Sequence, residues 1–460
     1  MRKYGRQIGL ILGILIAFTI YSLPIEGLNE NGKICLALTL MTITFWAFQI
    51  TQTGYVSGVY LVLLIILKVA EPEAVFSPWM GSTMYLVIGA YLIAAAVKSS
   101  GLGERISYRF IIKYVSSYKS IIVSIFVLTL ILSLLIPHPW PRAFLIMSVM
   151  AVVIQSAELP KEDAAKIGFA VFAAEVPVST IFLTGDSLLN PMAVQFSGAQ
   201  IGWFKWLVYM GVPGIASSIL TFILIMLLFK PSVNIKINKA DIQSKLNALG
   251  TLSKIEKRTI VWLFIAIVLW LTDSIHGINI GWITILIAML MSFPVIGGVL
   301  EPKNWADVPV QVLFFVTASI SIGKVGAVTG MNSWIAQTIL PLSVSSNPFV
   351  FALLITVISI AMHMLFGSVL AVMGIAIPAL LVFSQANSIN PVVTALLVFL
   401  SISPHFILPF QHLNILVGLG EENGMYTQKE AIRLGLPLTV AVFVINILVA
   451  VPWWKIIGLL

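Results

Sequence analysis

Three formal charges lie well away from the ends of otherwise apolar stretches of the chain: Arg142, Glu175 and Asp186. An arginine in a hydrocarbon-facing helix costs about 2.5–3.5 kcal/mol on insertion scales, so Arg142 must face a cavity or a partner. Its planar fork suits a carboxylate or another oxyanion, which makes it a substrate clamp. The competing reading is an internal ion pair with Glu175 or Asp186, both in the next apolar run. A pair that opens when substrate arrives would satisfy both. Intramembrane carboxylates mark ion or proton paths. Asp186, with Ser187 and unwound carbonyls around 184–190, suits a hard cation such as sodium. Glu175, His138 and His412 suit a proton, because imidazole titrates near working pH. Asp186 also has a plainer reading as a helix cap. His363 and His405 are expected to line the second half of the same cavity, and His276 to be interfacial. No HExxH or HxxxH spacing is present, so a transition-metal site is not expected.

The elements that must position these groups follow from composition. Of 460 residues, 59% are apolar and only 10% are charged, and the mean hydropathy is +1.04. Soluble domains carry about 25% charge. The chain is therefore an all-α polytopic membrane protein, lying in a bilayer and not bound to nucleic acid. A span needs about 20 apolar residues. Hydropathy places spans at 8–23, 34–50, 54–70, 80–98, 167–200, 204–229, 259–275, 279–297, 309–326, 391–418 and 434–454, about 11 in all. The first of these is read as a span and not as a cleaved signal peptide, since no small-x-small site follows it.

Two apolar regions, 121–157 and 349–386, are too long for one span and short for two. Each has a helix-unfriendly centre, IPHPWPR at 136–142 and HMLFGS at 363–368. Such stretches persist at membrane depth only when buried in protein or lining a wet cavity. Both read as re-entrant hairpins. Pro141 fits the first position of a returning arm, and Ser368 its N-cap in the second hairpin. With the N-terminus cytoplasmic and the C-terminus outside, 20 of the 26 Lys and Arg fall in inner segments, which is the positive-inside pattern.

The chain divides into an N-terminal span (1–30), a first repeat (31–229), a cytoplasmic linker (230–258) and a second repeat (259–460). Each repeat runs through a span ending in Lys, a small-residue turn, an amphipathic helix, a hairpin, a polar-broken span and a plain span. The breaks are TGDSLLNP at 184–191 and PFQHLN at 409–414. Five spans per repeat make the second copy inverted. Inverted repeats with broken helices meeting at mid-membrane are a secondary-transporter architecture.

LPIEGLNENGKICLALTLMTITFWAFQI at 23–50 and YLVIGAYLIAAAVKSSGLGERI at 85–106 resemble the divalent anion/sodium symporters. The order of hairpins and broken spans resembles that family too. The resemblance implies a homodimer that transports dicarboxylates, citrate or sulfate and has no enzymatic activity. It implies no cofactor beyond sodium as coupling ion. The family's hairpin tips read Ser-Asn-Thr and hold substrate and sodium. The corresponding positions here read Pro137-His138-Pro139 and Ser368-Val369-Leu370, so only Ser368 matches and the chain is a divergent member. In the breaks, Gly185, Asp186, Ser187 and Asn190 match loosely; Asn414 matches, preceded by Gln411 and His412.

The expectation is a secondary active transporter of a small anion, most simply a di- or tricarboxylate, in the cell membrane. It works by alternating access, coupled to sodium, protons or a counter-anion. The substrate residues are Pro137, His138, Pro139, Arg142, Asn190, Ser368, Val369, His412 and Asn414. The ion-coupling residues are Glu175, Asp186, Ser187 and Gln411. The alternative is a cation/proton antiporter of the same superfamily.

Overall fold

The computed structural model describes residues 2–233, 239–339, 347–386 and 389–460. Residues 234–238 of the expected linker, and 340–346 and 387–388 of the expected second repeat, lie outside the described residues. Every regular element among the described residues is a helix. Seven helices are long and apolar enough to cross a membrane: Tyr4–Ser22, Ser82–Ser100, Pro139–Ser156, Trp203–Leu228, Val310–Val328, Pro348–Phe366 and Gln428–Ile456. Shorter apolar helices, such as Thr53–Ile66 and Ile280–Met291, fall where the hydropathy reading puts further spans. The protein is an all-α, multi-pass membrane protein.

Each region read as a hairpin is two helices joined by a short link. Tyr118–Ser133 passes through residues 134–138 into Pro139–Ser156. The N-cap is His138, so Pro139 takes the first helical position, two residues before the expected Pro141. The later pair is Pro348–Phe366 and Val369–Ala386. Its link is only Gly367 and Ser368, and Gly367 has φ +62°, a backbone region that a β-carbon disfavours. The Gly367 amide closes the first arm on the His363 carbonyl at 2.9 Å.

Both polar-broken spans are broken in three dimensions. Lys161–Val178 ends before a single 3-10 turn at Leu183–Gly185, and the helix resumes at Leu189–Phe196. Pro391–Ile402 likewise gives way to a turn at Pro409–Gln411 and a short helix, Leu413–Val417.

Around these pieces lie two apolar cores. One gathers Leu36, Tyr60, Val87, Ile283, Val316 and Phe399 from the helices outside the first hairpin. The other packs the first hairpin and the first broken span against Phe406, Tyr426 and Leu434. Small residues let helices approach closely, as membrane packing requires. A methyl group on Gly89 would meet the Ile285 backbone nitrogen at 2.9 Å, so Ser82–Ser100 and Ile280–Met291 touch backbone to backbone there. Trp453 and Trp454, beside Lys455, look in sequence like an interfacial anchor. Their indoles donate to the carbonyls of Val208 and Tyr209, at 2.8 and 2.9 Å.

Candidate functional site

A cleft forms where both links meet both breaks. Its walls come from residues 138–140, 186, 188–189, 368–370 and 410–414; Ser187, expected at the site, is not among them. It encloses about 40 Å³ of water-accessible space, enough for a few waters. The first two segments are separated from the last two by about 180 residues of sequence, yet all four converge because each presents the start of a helix. Pro139–Ser156, Leu189–Phe196 and Val369–Ala386 all begin at the cleft. Free amides and the positive dipole ends of helices favour an anion there.

The first link and first break are held together by Arg142, whose side chain is fully buried. Its Nε and Nη2 donate to Glu175 Oε2 at 3.0 and 2.6 Å. Nη1 donates to the carbonyls of Ile136 and Gly185, both at 2.8 Å. Nη2 also reaches Ser179 Oγ at 2.7 Å. A guanidinium has five N–H donors, and these five bonds use them all. Of the two readings of Arg142, the ion pair with Glu175 is the one the geometry displays, and neither residue is among the cleft walls. Glu175 Oε1 has no hydrogen-bond partner among the described residues.

The other expected residues divide into walls and supports. Pro137 lends its carbonyl to the Ser187 amide at 3.1 Å, tying link to break. His138 is a wall; its Nε2 pairs with the Tyr91 hydroxyl at 2.9 Å and its Nδ1 with Ser187 Oγ at 3.5 Å. Asp186 is also a wall, and its Oδ1 caps the following helix by accepting the amides of Leu188 and Leu189 at 2.9 and 3.0 Å. Asn190 faces away from the cleft. It donates to the carbonyls of Ser179 and Phe182, both at 2.8 Å, and fixes the shape of the break. Pro139, Ser368, Val369, Gln411, His412 and Asn414 are walls. Gln411 Oε1 straps its own break by accepting the amides of Ile407 and Leu408, each at 2.7 Å.

His412 and Asn414 differ from the rest. His412 Nδ1 accepts the Asn414 amide at 3.2 Å. A neutral imidazole accepting on one nitrogen carries its proton on the other, so Nε2 is a donor. Among the described residues, that Nε2 and Asn414 Nδ2 are both buried and have no acceptor within hydrogen-bond distance. Unmet buried donors are costly, and they mark where a ligand's acceptor oxygen would fit.

Sequence reasoning missed the apolar walls Trp140, Leu370 and Phe410, and the support from Tyr91. Nothing in their local pattern separates them from core residues. His363 and His405, expected in the cavity, are not among its walls. They contact each other behind it, Nδ1 to Nδ1 at 3.3 Å.

A chain with multiple membrane helices, paired helix–link–helix units and broken spans meeting at a cleft of helix starts has the build of a secondary transporter. Residues 5–460 match the sodium:sulfate symporter transmembrane region, and the chain belongs to that family of transporters. It is 24% identical to a membrane protein of Cupriavidus necator, over 98% of this chain and 93% of the relative. It is 23% identical to a sodium-dependent dicarboxylate transporter of Staphylococcus saprophyticus, covering 84% of this chain and 80% of the relative. A chloroplastic dicarboxylate transporter of Arabidopsis thaliana is 26% identical over 72% of this chain and 61% of its own length.

Proposed function

We propose that this protein carries a small dicarboxylate across a cytoplasmic membrane by alternating access, with sodium as coupling ion. One observation carries the reading: His412 Nε2 and Asn414 Nδ2 are donors without acceptors in a cleft built from helix starts. A carboxylate oxygen supplies the missing acceptor, and the helix ends stabilise its charge. The relatives named for dicarboxylates support the substrate class. Asp186 is the carboxylate beside the cleft that a sodium ion would meet, with break carbonyls completing an oxygen shell.

In this reading the two halves, 31–229 and 259–460, are inverted repeats joined by the cytoplasmic linker, and the hairpins are re-entrant. The N-terminus is cytoplasmic and the C-terminus outside. Hairpins and breaks move as a body against the remaining helices, which carry the homodimer contact. Arg142 acts as a positioning residue that keeps link and break together through that movement.

The test is uptake of radiolabelled succinate into proteoliposomes under an inward sodium gradient. Uptake above protein-free liposomes, lost in Asn414→Leu, is expected; uptake equal to empty liposomes rejects the reading. Sodium/proton exchange without any anion would favour the antiporter alternative.

A further inference from the structure

The two halves of the chain furnish the cleft with opposite chemistry. The second half supplies donors. His412 Nε2 and Asn414 Nδ2 are buried without acceptors among the described residues. Val369 and Leu370, both walls, open the helix Val369–Ala386, and the first amides of a helix have no partner within it. Among the described residues, nothing else accepts from these two amides.

The first half has spent its donors. Pro139 and Pro141 carry no amide hydrogen, so two of the first three positions of Pro139–Ser156 offer nothing to an anion. The amides of Leu188 and Leu189 go to Asp186 Oδ1, and the Asn190 amide goes to the Asp186 carbonyl at 3.2 Å. Pro191, next in that helix, has none. Both nitrogens of His138 are engaged, by Tyr91 and Ser187. Every donor of Arg142 goes to Glu175, Ser179, Ile136 or Gly185, none of them a wall.

What the first half presents instead is a carboxylate. Asp186 is the one acidic residue among the walls, and no lysine or arginine stands with it. Its Oδ1 is occupied by the helix cap, while Oδ2 has no donor among the described residues. A bare carboxylate placed against Asp186 would meet like charge and no hydrogen. A group with positive charge and hydrogens of its own meets what it needs. The remaining walls are largely apolar, including Trp140, Leu188, Leu189, Leu370 and Phe410, and suit methylene groups.

We propose that the cleft also takes a small ω-amino acid, its carboxylate on His412 and Asn414 and its ammonium on Asp186. An ammonium has three donors and no acceptor, the complement of a carboxylate with a free oxygen. Folding has already taken Asp186 out of water, at 4% exposure, so pairing it costs only the hydration of the ammonium. The carboxylate end is the one proposed above for a dicarboxylate, and this assignment rests on it. The other end differs: the amine stands where sodium would, so an ω-amino acid binds without sodium and competes with it.

The test is binding to the purified full-length protein in detergent, followed by thermal shift in sodium-free choline buffer and again with sodium. The probes are 4-aminobutyrate, butyrate and succinate. Without sodium, 4-aminobutyrate should bind about tenfold or more tighter than butyrate, which has the carboxylate alone. Sodium should weaken 4-aminobutyrate and strengthen succinate. Asp186→Asn keeps an oxygen able to cap the helix, and should bring 4-aminobutyrate down to the level of butyrate. Asn414→Leu should weaken all three probes. In the wild-type protein alone, 4-aminobutyrate no tighter than butyrate, or tightened by sodium, overturns the proposal. An advantage over butyrate that survives in Asp186→Asn overturns it as well. Succinate that fails to bind even with sodium counts against the dicarboxylate reading, while the comparison of 4-aminobutyrate with butyrate still decides this one.

Discussion

The two links are anchored to their breaks by different chemistry. In the first half, a guanidinium and a carboxylate, both fully buried, meet at 2.6 Å, and the arginine reaches two carbonyls and a serine besides. In the second half the same job falls to two imidazoles and a carbonyl at 3.2–3.3 Å. The first is a lock whose five donors are all used. The second is held by fewer and longer contacts, between two rings and a carbonyl. The difference teaches that similar backbone patterns can be secured rigidly on one side and adjustably on the other. It also separates supports from candidate ligand groups: Asn190 spends its amide on the break, whereas Asn414 leaves its amide unmet among the described residues.

The largest expected effect breaks the rigid side. Arg142→Met leaves the Glu175 carboxylate buried and unpaired, which should cost about 3–5 kcal/mol of stability. The double variant Arg142→Met with Glu175→Gln should recover most of it, and thermal melts in detergent check both. If the single variant melts like the wild type, the lock is not structural.

The adjustable side should be more forgiving. His363→Gln removes neutral hydrogen bonds only, and a loss of about 1–3 kcal/mol is expected in the same melts. A loss as large as that of Arg142→Met would erase the distinction between the halves.

The two asparagines sharpen the comparison further. Asn190→Leu strips two carbonyls of their donor and should destabilise by about 1–2 kcal/mol. Asn414→Leu should change stability by about 0.5 kcal/mol or less, because its amide has no protein partner, while abolishing succinate uptake. Parallel losses of stability would make Asn414 another support.

A last comparison concerns a second buried ion pair, outside the spans. Arg105 binds Glu256 through Nε and Nη2 at 2.5 and 3.1 Å, and also holds the carbonyls of Leu249 and Gly250. That pairing pulls the Glu256 carboxyl below its ordinary 4.5. A depressed folded-state value means the contribution is complete above 4.5 and fades as pH falls through the lowered value. Glu256→Gln should therefore melt lower than wild type at neutral pH, by about 1 kcal/mol given nearby solvent. The gap should close on acidification below 4 or so. A gap that is constant with pH would assign the loss to packing.

Much of this was legible in the sequence. Apolar runs of span length placed the long helices, because a bilayer demands internally bonded backbone. The helix breaks at 184–190 and 409–414 were legible because glycine, proline and polar residues interrupt otherwise apolar stretches. Asp186, His412 and Asn414 stood out there as polar residues in a greasy setting. The start of Pro139–Ser156 was misplaced by two residues, since three prolines compete for one N1 position and only the cap geometry chooses. Trp140 and Phe410 were not legible, because an aromatic wall and an aromatic core residue have the same local signature.

The sequence by itself determined membrane class, helix positions and which few polar side chains had to matter, since those follow from the cost of leaving water. Tertiary structure alone decided which polar groups satisfy one another. Arg142 could equally have faced a substrate or a carboxylate until its five donors found Glu175, Ser179 and two carbonyls. His363 and His405, 42 residues apart, meet only because the second break folds back on its link. Hydrogen-bond pairing is short-ranged and directional, so only the packed chain shows which donors are left for a ligand.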